Sequence, residues 1–168
     1  QALYWLSITP AFKMLKKKLK PALHFFFIEK FTNTSDWFIS RLRYCRHTAT
    51  NSMVGHILGI GDRHLNNIML DEKTGEVIHI DLGIAFDQGK ILPVKENVPF
   101  RLTSEIIDGM GWMGQDGIFR KTCEETMYVL RNSAEYLLIV LGVFMSDPLI
   151  NWIIEPRNQK SSGLVLTP

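Results

Sequence analysis

The stretch Gly59–Gly83, GIGDRHLNNIMLDEKTGEVIHIDLG, limits the folds open to this chain more than any other. Two strand-sized apolar runs, Ile68-Met69-Leu70 and Val77-Ile78-His79-Ile80, flank the polar, glycine-ended segment Asp71–Gly75. That pattern predicts an antiparallel hairpin. Pairing brings the outer ends of a hairpin together, so Asn67 and Asp81 are expected side by side at its open end. Just ahead, a turn entered through Gly59 and Gly61 carries Asp62, Arg63 and His64. Asp, Asn and Gly populate turns everywhere, so each position taken singly reads equally well as a turn residue. Their combination around one hairpin does not.

An amide oxygen and a carboxylate converging at one point form a hard-oxygen site of the kind Mg²⁺ takes when it also holds phosphates. Asp62 precedes Asn67 by five residues, the spacing of base and metal-binding Asn in protein-kinase catalytic loops. Together these features point to phosphoryl transfer. Ordinary protein kinases place a His two residues before the Asp; here His64 follows it by two. The form D-R-H-x-x-N, followed by Asp81-Leu82-Gly83, resembles the phosphatidylinositol 3-kinase-like superfamily, which holds lipid kinases and large protein kinases.

The resemblance covers residues 21–156. Pro99-Phe100-Arg101-Leu102-Thr103, Asp108-Gly109-Met110-Gly111, Gly114-x-x-Gly117-x-Phe119-Arg120 and Asp147-Pro148-Leu149-x-x-Trp152 resemble the related protein kinases rather than the lipid kinases. Ser52–His64 and His79–Pro93 are similar to the ATM-like, Tel-type checkpoint kinases of that family. The implied fold is α+β and mainly α-helical, the carboxy-terminal lobe of a kinase domain with a small β-hairpin beside the catalytic loop. Residues 1–20 then form a divergent leader, 59–67 the catalytic loop, 81–103 the activation segment and 157–168 a flexible tail.

The same resemblance implies ATP and Mg²⁺ as cofactors, with Mn²⁺ an admissible substitute. Asp62 would orient the substrate hydroxyl and accept its proton, and His64 would stabilise the transferred phosphate and share the base role. Asn67 and Asp81 would hold the metal. Met69 and Ile80 resemble the apolar residues under the adenine ring, although both also read as hairpin core. Gly83, Ala85, Gln88, Lys90, Pro99 and Arg101 belong to the segment where substrate would lie; Arg101 is expected to anchor its end. Arg63 is expected to brace the loop rather than touch substrate. Implied partners are proteins with Ser or Thr before Gln, a DNA-break sensor complex reached through parts outside these residues, and a second copy in a homodimer; the implied location is the nucleus. Two other readings stay open, a catalytically silent lobe serving as scaffold and a lipid kinase. Between Gly83 and Pro99 only Lys90 and Lys95 are basic, offset by Asp87 and Glu96. That is little charge for a polyphosphorylated head group. These residues contain no glycine-rich phosphate loop and no strand Lys paired with a helix Glu, so the chain alone is expected to be inactive.

Composition adds boundaries. A net charge of +2 gives no argument for direct contact with nucleic acid or an acidic membrane. Cys45 and Cys123 are far apart and lack metal spacing, which suits reduced thiols. The run Lys16–Lys20 reads as a solvated helix face in preference to a targeting signal. Pro21 is expected in the first turn of a helix through Phe31 whose Phe25, Phe26, Phe27, Ile28 and Phe31 form a core face. Thr34, Ser35 and Asp36 offer caps for a helix to about Leu58. Its stripe Trp37, Ile39, Leu42, Cys45, Ala49, Met53, Val54 and Ile57 should pack inward, with Arg41, Arg43, Arg46 and His47 on the wet side. Thr103 or Ser104 caps a short helix ending near Gly109 or Gly111. Two amphipathic helices, Gly117–Leu130 and Ser133–Phe144, join at Arg131-Asn132, and Asp147-Pro148 opens a last short one. The apolar run Tyr136–Met145 is too short to span a bilayer and suits a buried helix.

Overall fold

The computed structural model describes residues 10, 12–15, 17–86 and 98–146; the helix expected at Asp147-Pro148 and the tail 157–168 lie outside them. The fold is α+β and mainly helical. Its helices are α1 (Leu23–Lys30), α2 (Thr34–Ile57), α3 (Ser104–Met110), α4 (Ile118–Asn132) and α5 (Ala134–Met145). Strands β1 (Ile68–Leu70) and β2 (Val77–His79) form one antiparallel pair. The chain divides into two compact units, Gln1–Tyr128 and Val129–Pro168.

The first unit is built around α2. Asn33, one residue before the expected caps, closes its start by accepting from the Ser35 N–H at 2.8 Å. Its inward face is Ser40, Tyr44, Cys45, Thr48, Ala49, Ser52 and Met53. Ile39 and Ile57, expected inside, are exposed. The pattern misleads because the buried hydroxyls need no outside partner. Thr48 Oγ1 donates to Tyr44 O and Ser52 Oγ to Thr48 O, both at 2.7 Å, so polar residues line the core at no unsatisfied cost. Arg41 is a second correction: its guanidinium stacks 4.4 Å from the Trp37 ring and donates to Met110 O at 3.2 Å instead of facing water. Arg43 and Arg46 are exposed as expected.

Around α2 the core gathers Phe27 from α1, Val77 from β2, Met110 from α3 and Phe119 from α4. The Phe27 ring meets Tyr44 edge-on at 5.2 Å. Only part of the phenylalanine cluster is core, since Phe25 and Ile28 are about half exposed. Helix α1 starts at Leu23, so Pro21 stands before it and not in its first turn. Its free N–H groups are met by carboxylates from α3. Glu105 accepts from Ala22 and Leu23 at 3.0 and 3.2 Å, and Asp108 from His24 N–H at 2.9 Å and the His24 ring at 2.7 Å. Burial works against the Asp108 carboxylate, yet the His24 bonds prevail and hold its pKa below the usual range. Thr103 caps α3 and Gly111 closes it with φ 81°, as the sequence implies.

Lys17 and Lys18 are helical and exposed, in keeping with a solvated face. Helix α4 runs through Arg131-Asn132, and the break falls at Ser133. Helix α5 is apolar all round rather than amphipathic, and Tyr136, Leu138, Ile139, Val140 and Val143 are exposed, against the expectation of burial. Hydrophobicity states that a helix needs cover without stating where the cover comes from. No described helix is long and apolar enough to cross a membrane.

Candidate active site

Helix α2 delivers the chain to the candidate catalytic loop. Gly59 leaves the helix at φ 59°, and Ile60 N–H returns to Gly55 O at 2.8 Å. Asp62 then adopts the left-handed conformation, φ 58°, which Asp tolerates better than most L-residues. Its carbonyl accepts from Asn67 Nδ2 at 2.9 Å. A 3₁₀ turn, Leu65–Asn67, carries Asn67 into a buried position. His64 Nε2 lies 3.9 Å from Asp62 Oδ2, and both side chains are partly exposed.

The hairpin register pairs Ile68 with His79, Met69 with Ile78 and Leu70 with Val77. Ile80 N–H donates to Asn67 O at 3.1 Å, so pairing continues beyond the strands and Asp81 is the next residue at the open end. The closed end is more ordered than a solvated loop. Asp71 Oδ1 accepts from Lys73 and Thr74 N–H at 2.7 and 2.9 Å, which lowers its pKa, and Gly75 takes φ 75°. A Cβ on Gly75 would stand 3.0 Å from Ser40 O and 3.2 Å from Phe27 Cε1. Asn51 Nδ2 donates to Val77 O at 3.0 Å and ties the hairpin to α2.

Alternation sorts the hairpin into two faces. Val77 enters the core with Ile68 and Leu70 packed against it. Met69, Ile78 and Ile80 point the other way, 51%, 46% and 40% exposed. Hairpin core is therefore not what Met69 and Ile80 form. Ile78 shares their face by the same two-residue period. A cavity of about 310 Å³ beside the hairpin is lined by Ile68, Met69, Leu70, Val77, His79, Pro99 and Arg101, among others. Burial, then the nearby Arg63 cation, pushes the His79 pKa down.

Asp81 is also left-handed, φ 53°, and its Oδ1 accepts from Gly83 N–H at 3.4 Å. Beyond it, Gly61 N–H donates to Ile84 O at 2.9 Å and Phe86 N–H to Leu58 O at 2.8 Å, so Ala85 lies between two anchors on the loop and helix end. Arg63 is 8% exposed and donates to the carbonyls of Gly61 and Ile80, each at 2.8 Å, and of Asp81. This is the brace expected of Arg63, and it extends beyond its own loop to Ile80 and Asp81. Gln88 and Lys90 lie outside the described residues. With its nitrogen committed to Asp62 O, Asn67 keeps its amide oxygen for another partner. That oxygen and the Asp81 carboxylate suit a hard cation that also binds phosphate. Among the described residues no cluster of three or more His, Cys, Asp and Glu could hold a metal.

Residues 4–154 match the family "Phosphatidylinositol 3- and 4-kinase". The chain is 52% identical over 146 residues to serine/threonine-protein kinase ATM of Arabidopsis thaliana, which covers 87% of this chain and 4% of that protein. It is 53% identical over 150 residues to serine/threonine-protein kinase TEL1 of Eremothecium gossypii, covering 89% and 5%. Among solved structures, the "FAT and kinase domain of CtTel1" superposes with a TM-score of 0.82 at 48% identity, covering 86% of this chain and 10% of that one. The "Complete CtTel1 dimer with C2 symmetry" gives the same score and identity. The chain thus spans about one twentieth of the length of the curated relatives cited here.

Proposed function

The chain belongs to the phosphatidylinositol 3- and 4-kinase family, and from that membership we propose that it is the carboxy-terminal catalytic lobe of a serine/threonine-protein kinase of the ATM/Tel type. The observation that carries this reading is the loop Asp62–Asn67 held against the Asp81 turn at the open end of the hairpin. The names of the relatives favour a protein substrate over a lipid one. The sparse positive charge between Gly83 and Pro99 favours it independently.

Asn67 Oδ1 and the Asp81 carboxylate are the groups to hold Mg²⁺, or Mn²⁺ in its place. The chemistry supplied there would be positive charge against that of the ATP phosphates. Asp62 would orient the substrate hydroxyl and take its proton as the oxygen attacks the γ-phosphorus and the bond to ADP breaks. His64, close to that carboxylate, would stabilise the phosphoryl oxygens. The partly exposed apolar face Met69-Ile78-Ile80 would be the floor under the adenine ring. Gly83, Ala85, Gln88, Lys90, Pro99 and Arg101 lie on the substrate segment. Preference for Ser or Thr before Gln, a checkpoint role in the nucleus, recruitment by a DNA-break sensor and pairing with a second copy extend the reading from the relatives.

Radiolabelled phosphate transfer by the longer protein that carries this lobe tests it. Transfer to Ser/Thr peptides, lost in Asp81→Ala with the fold retained, is expected. Transfer to phosphatidylinositol vesicles instead would move the chain to the lipid kinases, and unchanged binding partners with no transfer at all would make it a scaffold.

A further inference from the structure

The two left-handed aspartates at this site belong to different segments, and one side chain ties the segments together. Asp81 follows the hairpin pairing, whose last bond is Ile80 N–H to Asn67 O, and precedes the Gly61–Ile84 clasp. Between those anchors the carbonyls of Ile80 and Asp81 are gripped by Arg63, the residue next to Asp62. Its third bond, Nε–H to Gly61 O at 2.8 Å, fixes the guanidinium to its own loop. A planar fork meeting three carbonyls sets the direction of the Asp81 backbone, and through it the direction of the carboxylate.

Resting on the kinase reading, we propose that Arg63 is a positioning residue for the metal site: it sets divalent-cation affinity by holding the Asp81 turn in register with the catalytic loop. It acts through main-chain geometry and touches neither metal nor substrate. Its charge works in the opposite direction, because a cation beside a divalent ion repels it. An electrostatic role therefore predicts tighter metal binding when Arg63 is neutralised. A positioning role predicts weaker binding, and weaker binding also when the charge is kept but the fork is lost.

The test is Mn²⁺ binding to the longer protein that carries this lobe, with ATP present, read by electron paramagnetic resonance, with melting followed in parallel. Arg63→Lys keeps the charge on a point donor, Arg63→Gln removes it, and Lys73→Ala at the exposed hairpin tip serves as control. The expected result is a dissociation constant raised about tenfold or more in both Arg63 variants and unchanged in the control. Equal affinity in folded Arg63→Lys, or tighter binding in Arg63→Gln, overturns the inference even if the melting temperature falls. If Arg63→Gln does not fold, Arg63→Lys alone decides. Absence of Mn²⁺ binding by that protein without substitution would sink the kinase reading itself, and the inference with it.

Discussion

Asn67 offers a substitution whose effect can be worked out from one contact. Its Nδ2 donates to Asp62 O at 2.9 Å, and the residue is 6% exposed. Asn67→Asp is nearly isosteric but sets a carboxylate oxygen against that carbonyl. The bond is lost, and two negative oxygens oppose each other at a partly buried site. Unsatisfied buried groups of this kind cost about 1–3 kcal/mol, more when one is charged, so a loss of roughly 2–3 kcal/mol is expected. For a chain of this length that corresponds to a melting temperature lower by roughly 4–12 °C. The second half of the prediction concerns metal. A site with two carboxylates binds a divalent cation more tightly, and saturation at about 100 times the dissociation constant returns about 2.7 kcal/mol. Since Mn²⁺ also stabilises the unsubstituted chain, differential scanning calorimetry in chelator and then in Mn²⁺ should show a gap that narrows for Asn67→Asp by the difference in affinity and widens for Asn67→Ala, which loses a ligand. Acid should also narrow it for Asn67→Asp, because a protonated carboxyl regains a donor. Melting of Asn67→Asp together with the unsubstituted chain in chelator would refute the reasoning, since the amide would then not hold the loop.

Gly75→Ala should destabilise by about 2–4 kcal/mol, from a left-handed Ala and from crowding against Ser40 and Phe27, while Lys73→Ala stays within about 0.5 kcal/mol; urea titration measures both. The Asp108 pKa is depressed in the folded state, so its contribution is full above the ordinary carboxylate pKa and is lost as pH falls through the folded value; Asp108→Asn should flatten that acid limb in pH-dependent unfolding. The His79 pKa is also depressed, so the unfolded chain binds more protons just below the usual histidine pKa. Stability should therefore fall as pH drops through that region, and His79→Gln should reduce the slope.

The hairpin was legible because its signals are local: period-two runs, a polar glycine-ended turn, and one register that keeps Val77 on the core side. The α3 cap at Thr103 and the helix end at Gly59 were legible for the same reason. What the residues alone did not give depends on partners far along the chain. The α1 start is satisfied by Glu105 and Asp108, Arg41 is drawn inward by Trp37 and Met110, and Arg63, expected to brace its own loop, reaches further to Ile80 and Asp81. The inward stripe of α2 was right at Cys45, Ala49 and Met53 but placed Ile39 and Ile57 inside and left out Thr48 and Ser52, which satisfy themselves within the helix. At the site, the spacing of Asp62, His64 and Asn67 was readable, whereas the left-handed backbone at Asp62 and Asp81 was not.

The most direct measurement is paramagnetic broadening of ¹⁵N-labelled chain by Mn²⁺ with ATP. Losses centred on the amides of Asn67, Asp81 and Gly83 and spreading to Asp62 are expected, and Asp81→Ala in a chain that stays folded should abolish them. Broadening centred on the Asp71–Glu76 turn, or signals at Asn67 and Asp81 untouched while Mn²⁺ binds elsewhere, would contradict a metal site at these two residues.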